Sequence, residues 1–364
     1  MRRRWAGLAL LVFFSFMCRV LAFDWTLIRY DKRDYIPITD IVNFYRFTQA
    51  DYSDDAVNLS GATVRMQGRL NSRELYLNGL KFILSYPVIK VDNKLLISRM
   101  DLSKLVEPVL RPARIPTVRT IILDAGHGGS DQGAKSMLGN EKDFALDVVM
   151  RARNLLARAG YIVRLTRSAD VFIPLEARAN FASHQTNSIF ISVHFNAGAR
   201  KDAAGIETYC LAPRGVPATN DHFPSLSDFR PCIGNVRDPE NIALTTAMHS
   251  ALITRTSAPD RGIKRARFMV LRNNNIPSVL VEGGFLTAAT ERKRIASSAY
   301  RQLIAQAILQ GVQSYNHAAQ RENTDQRVVK WAKPEVASVT PGSNSAVWDP
   351  IKSNIYALPD PVRQ

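Results

Sequence analysis

TIILDAGHGG, residues 120–129, is the stretch that decides the fold. A short apolar run there ends in a glycine-rich loop that carries His127. Two later apolar runs also end at a chemically competent side chain, His194 and Glu282, and Glu141 lies shortly after the His127 loop. These four side chains bind metals or move protons, and each lies where a hydrophobic run ends or the next helical pattern begins.

The sequence around this stretch alternates between strand-like and helical patterns. Such alternation predicts an α/β fold, with a mostly parallel sheet covered by helices on both faces. The predicted strands are 120–124, 161–166, 188–194, 205–211 and 277–282, and the predicted helices are about 141–159, 174–184, 240–255 and 288–314.

In a sheet of this kind the reactive crevice lies at the carboxyl ends of the strands. His127, His194 and Glu282 follow such ends, and Glu141 begins the first helix beside them. Two histidines and one glutamate are a known ligand set for catalytic zinc, and a further glutamate can move the proton of a water molecule. The sequence therefore predicts a zinc hydrolase. Each residue also has a structural explanation: a glycine turn, a first-turn acid of a helix, a core histidine and a buried acid.

The first 22 residues have the pattern of a secretory signal peptide. Three arginines precede an apolar run from Trp5 to Met17, and Val20 and Ala22 occupy the positions before a cleavage site. No other apolar run approaches the roughly 20 residues of a membrane-spanning helix, so we expect no stable membrane span. The mature chain is expected to be exported, periplasmic or secreted, at the bacterial cell envelope.

The chain is strongly basic, with a formal net charge of +16. The leader accounts for four arginines and no acids. A positive charge attracts anionic polymers. For an exported protein we expect an anionic cell wall or membrane surface as the partner and no nucleic acid; a basic surface without any specific partner is the alternative.

The remaining chain divides into four parts. Residues 23–106 are expected to form a small α+β domain that includes a hairpin turning at Asn78-Gly79. Residues 107–118 are a proline-rich linker, residues 119–315 the catalytic domain, and residues 316–364 a disordered tail. After removal of the leader only Cys210 and Cys232 are left, which in an oxidising compartment allows one disulfide.

Taken together, the motifs resemble the zinc-dependent N-acetylmuramoyl-L-alanine amidases of the type 3 family. The similarity covers about residues 119 to 315, in the order and spacing of that family. The stretches that carry it are 121–129, 140–143, 190–197 and 279–287, with support from 165–167, 175–179 and 261–266.

The resemblance implies that His127, Glu141 and His194 bind one zinc ion and that Glu282 is the catalytic glutamate. The substrate would be peptidoglycan, cleaved at the linear amide that joins N-acetylmuramic acid to the L-alanine of the stem peptide. Arg178 and Asn196 are candidates for substrate contact or support, and Arg178 is equally interpretable as a structural helix arginine. A non-catalytic peptidoglycan-binding or activator protein, and a zinc peptidase that cuts within the stem, are the alternative functions.

Two regions depart from that family pattern. Residues 212–240 interpose a proline-rich segment, which we interpret as a disulfide-pinned surface loop near the site, with simple decoration as the alternative. Residues 23–106 resemble, more weakly, the copper amine oxidase N-terminal-like domains found beside cell-wall hydrolases, although they contain neither His nor Cys. We expect them to bind the wall or a regulatory partner, with a passive spacer as the alternative, and we expect the protein to be a monomer.

Overall fold

The computed structural model describes residues 23–53, 55–112, 115–198, 200, 202–221 and 223–320. The predicted leader, and the predicted tail beyond residue 320, lie outside the described residues. No helix in the described part of the chain is long and apolar enough to cross a membrane.

Seventeen strands are assigned in the described ranges. They are β1 Ile28–Tyr30, β2 Arg33–Pro37, β3 Gln49–Ser53, β4 Ala56–Ser60, β5 Arg65–Arg69, β6 Glu74–Leu77, β7 Leu80–Ile83, β8 Ile89–Val91, β9 Lys94–Ser98, β10 Thr120–Ala125, β11 Lys135–Ser136, β12 Gly139–Asn140, β13 Ile162–Leu165, β14 Ser188–Asn196, β15 Ile206–Leu211, β16 Asp260–Ala266 and β17 Ser278–Phe285.

Nine α-helices are assigned in the described ranges, three of them before residue 111. They are α1 Ile38–Tyr45, α2 Arg99–Asp101, α3 Glu107–Leu110, α4 Glu141–Arg158, α5 Leu175–Ser183, α6 Asp238–Thr256, α7 Met269–Arg272, α8 Ala289–Ala296 and α9 Ser298–Gln320. A π-helical stretch, Leu102–Val106, joins α2 to α3, and two 3₁₀ turns lie at Leu226–Phe229 and Ile233–Arg237.

The core of the molecule is one large mixed sheet with strand order β13-β10-β14-β17-β15-β16-β7-β6-β5-β4-β3. Strands β13, β10, β14 and β17 are parallel, whereas β15 is antiparallel to β17 and β16 is parallel to β15. Helices α4, α6 and α9 pack their apolar side chains on one face of the parallel part, and α5 and α7 pack on the other face. The predicted α/β class is confirmed, and helices cover both faces.

Most predicted elements of this half are observed within one or two residues. The predicted final helix is two helices, α8 and α9, separated at Ser297, and α9 continues to Gln320, past the predicted start of the tail at residue 316. Strand β16 and the short helix α7 lie in a stretch, 256–276, for which the periodicity predicted no element.

The N-terminal unit is joined to the sheet of the following half of the chain by strand pairing. Strand β7 runs beside β16 with Phe82 opposite Ile263, so the hairpin strands of residues 49–83 continue the large sheet. The hairpin at Asn78-Gly79 forms as predicted, with β6 antiparallel to β7. The expected linker begins as helix α3, and Ile263 of β16 is buried in the same apolar cluster as the N-terminal core.

The described residues of the segment 212–240 lie near the amino ends of the parallel strands, away from their carboxyl ends. Because β15 is antiparallel to β17, the first residues of β15 lie beside the carboxyl end of β17. Leu211, the last residue of β15, therefore lies toward the amino end of β17, and the chain continues from there. Gly234 there packs against Leu271 and the carbonyl of Asn274, just before β17 begins. The prediction that this segment lies near the site is wrong, since sequence gives the position of β15 but not its direction.

Cys210 and Cys232, the two residues of the expected disulfide, are both free cysteines in the described part of the chain. Side chains alternate between the two faces of a strand. Cys210 faces the N-terminal apolar cluster. Tyr209 and Leu211, the residues on either side of Cys210 in β15, face a different apolar cluster, and Cys232 packs against that one. The two sulfurs therefore belong to opposite faces of the sheet, and this fold does not bring them together.

Candidate active site

The loop after β10 holds His127 in an unusual backbone conformation. His127 has φ +58°, in the left-handed region that non-glycine residues rarely adopt. The neighbouring glycine is required by packing, because a Cβ on Gly126 would lie 2.3 Å from the imidazole of His194. The loop therefore brings the two histidine rings face to edge, with centroids 5.0 Å apart.

Two buried arginines fix this loop through its carbonyl oxygens. Arg178 donates to the carbonyls of Ala125 and His127 and to the carboxylate of Asp124. Arg167 donates to the carbonyls of Ala125 and Gly126. The side chain of Arg178 is 2% exposed and also donates to the carbonyl of Ile173, so its burial favours the supporting role over substrate contact.

Glu141 connects the two histidines at the first turn of α4. Its Oε1 lies 3.0 Å from Nε2 of His127 and 2.9 Å from Nδ1 of His194. One ligand atom from each of the three residues lies within 4.8 Å of the others. Two imidazole nitrogens and one carboxylate oxygen at this separation form a donor set that fits a zinc ion.

The orientation of these groups is set by neighbouring hydrogen bonds. Nδ1 of His127 lies 2.7 Å from Asp131, which leaves Nε2 directed at Glu141. The other carboxylate oxygen of Glu141 accepts the backbone N–H of Ala134 at 2.8 Å. A side chain at Gly133 would collide with both Glu141 and His127, so this glycine leaves room for the cluster.

The carboxylate of Glu141 is held in its charged form. Burial opposes this charge, but hydrogen bonds and proximity to the two histidines keep the pKa of Glu141 well below its usual range. The pKa of His127 is raised: its own burial acts in the opposite direction and is outweighed by the carboxylates of Glu141 and Asp131.

Glu282 lies beside His194 on the adjacent strand. The two residues are directly paired in the register of β14 and β17. Oε2 of Glu282 is buried and has no hydrogen-bond partner among the described residues. Burial, together with the nearby carboxylates of Glu141 and Glu207, raises the pKa of Glu282 well above its usual value. Buried polar atoms normally have a partner, so this oxygen is available to a bound group or a reacting molecule.

A second acidic centre, which the sequence did not indicate, stands next to Glu282. Glu207 of β15 is directly opposite Glu282 and is 1% exposed. It accepts from Lys264 at 2.7 Å, Arg261 at 2.8 Å and Asn196 at 3.1 Å. Burial would raise the pKa of Glu207, but Lys264 and Arg261 lower it, so this carboxylate is charged.

Asn196 therefore orients Glu207 at the edge of the site, which fits the supporting role proposed for it. The signal for the Glu207 cluster was present in the alternation of β15 and in the basic stretch 261–266. It could only be interpreted once the antiparallel pairing of β15 was known.

Comparison with known proteins gives a consistent result. A protein-family model described as N-acetylmuramoyl-L-alanine amidase matches residues 121–314, which is more than half of the chain. The chain is 32% identical over 221 residues to the N-acetylmuramoyl-L-alanine amidase AmiA of Escherichia coli K12, covering 55% of this chain and 76% of that protein.

It is also 32% identical over 216 residues to the N-acetylmuramoyl-L-alanine amidase AmiC of Neisseria meningitidis serogroup B, covering 54% of this chain and about half, 52%, of that relative. Among solved structures, an N-acetylmuramoyl-L-alanine amidase from Clostridium difficile 630 has 31% identity and a TM-score of 0.45, covering 55% of this chain and 97% of the other. The similarity to all three is confined to roughly half of the chain.

Proposed function

The chain belongs to the N-acetylmuramoyl-L-alanine amidase family, and we propose that it hydrolyses the amide between N-acetylmuramic acid and the L-alanine of the peptidoglycan stem at the His127, Glu141, His194 and Glu282 site. The observation that carries the residue assignment is the meeting of three donor atoms beside a buried, unpartnered glutamate oxygen. As a member of this family the protein is a hydrolase.

His127, Glu141 and His194 would hold one zinc ion. Zinc supplies Lewis-acid polarisation of the amide carbonyl and lowers the pKa of water. The protein contributes a prearranged ligand set, because Asp131 orients one imidazole and two buried arginines fix its loop. Such prearrangement avoids reorganisation when the site is loaded.

Glu282 would act as the general base and then as the general acid. Its buried oxygen accepts the proton of the attacking water, and the same oxygen returns the proton to the departing alanine nitrogen. The raised pKa of Glu282 favours retention of the proton on its carboxyl group between the two steps. Glu207 is directly opposite Glu282 on the adjacent strand and is charged. Its negative charge stabilises the protonated form of Glu282 after the first step.

The substrate places the enzyme at the bacterial cell envelope, with peptidoglycan as its partner. This agrees with the secretory leader predicted for residues 1–22 and with the positive charge of the mature chain.

Digestion of purified sacculi with the mature protein tests the assignment. Analysis of the products by mass should give whole stem peptides that begin with L-alanine, together with intact glycan strands. Shortened stems would indicate a peptidase, and no release at all would indicate a binding protein. Glu282→Gln, which keeps the shape of the side chain, is the matched inactive control.

A further inference from the structure

A row of polar side chains crosses the N-terminal part of the large sheet on one face. It consists of Asp51, Asn58, Gln67, Tyr76 and Lys81, one from each of β3, β4, β5, β6 and β7. Each is directly opposite the next in the strand register. Side chains directly opposite one another on adjacent strands point to the same side of the sheet. We call these five residues the polar row.

The polar row is accessible to solvent and prepared for hydrogen bonding. Asp51, Asn58 and Gln67 are exposed, whereas Tyr76 and Lys81 are half-buried. The amide of Gln67 donates to the amide oxygen of Asn58 at 3.2 Å, which leaves further donors and acceptors of both groups for a ligand. Nζ of Lys81 lies 5.5 Å from the centre of the Tyr76 ring and 3.0 Å from Glu74, which holds the ring in place.

The polar row continues into the active site. Strand β7 pairs with β16, and Lys81 packs over Gly262, where a Cβ would lie 3.2 Å from its Cγ. The next side chain along that strand edge, Arg261, donates to Glu207 at 2.8 Å. Glu207 is directly opposite Glu282. The row and the proposed catalytic glutamate thus share one face and one level of a continuous sheet.

The length of this path suits a polymer rather than a small molecule. Adjacent strands lie about 4.8 Å apart, and seven steps separate β17 from β3, so the path measures about 34 Å along the sheet. Primary amides exchange hydrogen bonds with hydroxyl and acetamido groups, and the flat face of a tyrosine ring packs against apolar surface while its hydroxyl stays solvated.

We propose that the polar row is a binding platform for the glycan strand of peptidoglycan, which it holds so that a stem on the same strand enters the site at Glu282. This proposal rests on the amidase function. It assigns residues 23–106 a role in binding the sugar polymer, on a surface continuous with the catalytic sheet and not on a separate module. Platform and site then act on one strand, and binding at the first raises the local concentration of amides at the second.

Binding to glycan strands without stems tests the platform independently of catalysis. The probe is soluble peptidoglycan glycan from which all stem peptides have been removed, titrated into the full mature chain. We expect Tyr76→Ala and the double variant Asn58→Ala/Gln67→Ala each to weaken binding about tenfold. Tyr76→Phe, which keeps the ring, should bind as the wild type does, and the double variant keeps the test valid if Tyr76→Ala fails to fold.

Lys94→Ala is the matched control, because Lys94 is exposed on β9 in the separate four-stranded sheet of the same unit. It should leave binding unchanged. In kinetic assays the Tyr76→Ala variant should raise KM for polymeric peptidoglycan about tenfold and leave kcat unchanged on a soluble muramyl peptide.

Wild-type protein that ignores stem-free strands, or a Tyr76→Ala variant that binds them normally, would overturn the platform. Binding only to strands that carry stems would also overturn it, in favour of stem recognition. Failure of the amidase function has a different signature, since the wild type would then leave the muramyl peptide intact whatever it binds.

Discussion

Asp101→Asn probes the buried ion pair that connects the N-terminal unit to the catalytic sheet. Asp101 is fully buried and Arg265 is 3% exposed, with 3.0 Å between their charged atoms. The carboxylate also accepts the backbone N–H groups of Ser85 and Tyr86. An amide would present N–H to at least one of these donors and would leave the Arg265 charge without its counterion. Breaking such a pair from one side costs about 3–5 kcal/mol.

The loss should be large relative to the total stability, because domains unfold with only about 5–15 kcal/mol. Urea denaturation followed by circular dichroism measures it, with Asp92→Asn, an exposed acid in a turn of the same unit, as the control expected within about 0.5 kcal/mol of the wild type. Adding Arg265→Met to Asp101→Asn should recover part of the loss, since the uncompensated charge is then removed. A loss below about 1 kcal/mol for Asp101→Asn would refute the reasoning.

Removal of residues 23–112 is the larger version of the same perturbation. It would strip β7 from β16, uncover the buried Ile263 and leave Arg265 without Asp101. We therefore expect the shortened chain to unfold at lower urea concentration or to aggregate, although it keeps the three proposed metal ligands and Glu282. A shortened chain as stable as the full one would mean that the shared sheet contributes little.

Three further outcomes are expected. His127→Ala should lower the zinc content measured by metal analysis, whereas Glu282→Gln should retain zinc and lose about 100-fold or more in rate; equal zinc loss in both would contradict the assigned roles. Alkylation of native protein without reductant should label Cys232 before Cys210, because burial raises the pKa of the Cys210 thiol to about 12; a linked pair in peptide maps would contradict this. Asp124 is buried, yet Arg178 and two hydroxyl groups lower its pKa, so its contribution to stability is complete above its ordinary pKa of about 3.9 and is lost as the pH falls below it. As the pH is lowered from 5 to 2, the urea midpoint should therefore fall less steeply for Asp124→Asn than for the wild type. Parallel curves for the two proteins would contradict this role of Asp124.

The residues of the proposed metal site were predictable because each is tied to a local signal. His127 and His194 end short apolar runs bounded by loop residues, which predicts buried strands, and Glu141 begins a long amphipathic helix. Parallel strands place their carboxyl ends at one edge, so local pattern and one topological rule suffice to bring these residues together. Glu282 follows from the same rule.

The relation between the two halves was not predictable in this way. Strand β7 and strand β16 are some 180 residues apart, and their pairing rests on a single register position, Phe82 opposite Ile263. Neither strand has a periodicity that identifies its neighbour. The prolines at 108, 112 and 116 suggested a separator, but the buried contacts of Arg265 are made by residues that precede them.

The direction of one strand accounts for the place of the segment 212–240 and for the position of Glu207 beside Glu282. Had β15 run parallel to β17, Leu211 would have ended at the catalytic edge, and the segment 212–240 would have lain beside the site as the sequence suggested. Because β15 is antiparallel to β17, the first residues of β15 lie at the site instead, and Glu207 is opposite Glu282. The same reversal sets β16 and then β7 with their first residues at the catalytic edge, since β16 is parallel to β15 and β7 to β16. Lys81 and the polar row reach the level of Glu282 for that reason, so the direction of β15 both removes the proline-rich segment from the site and connects the N-terminal half-sheet to it.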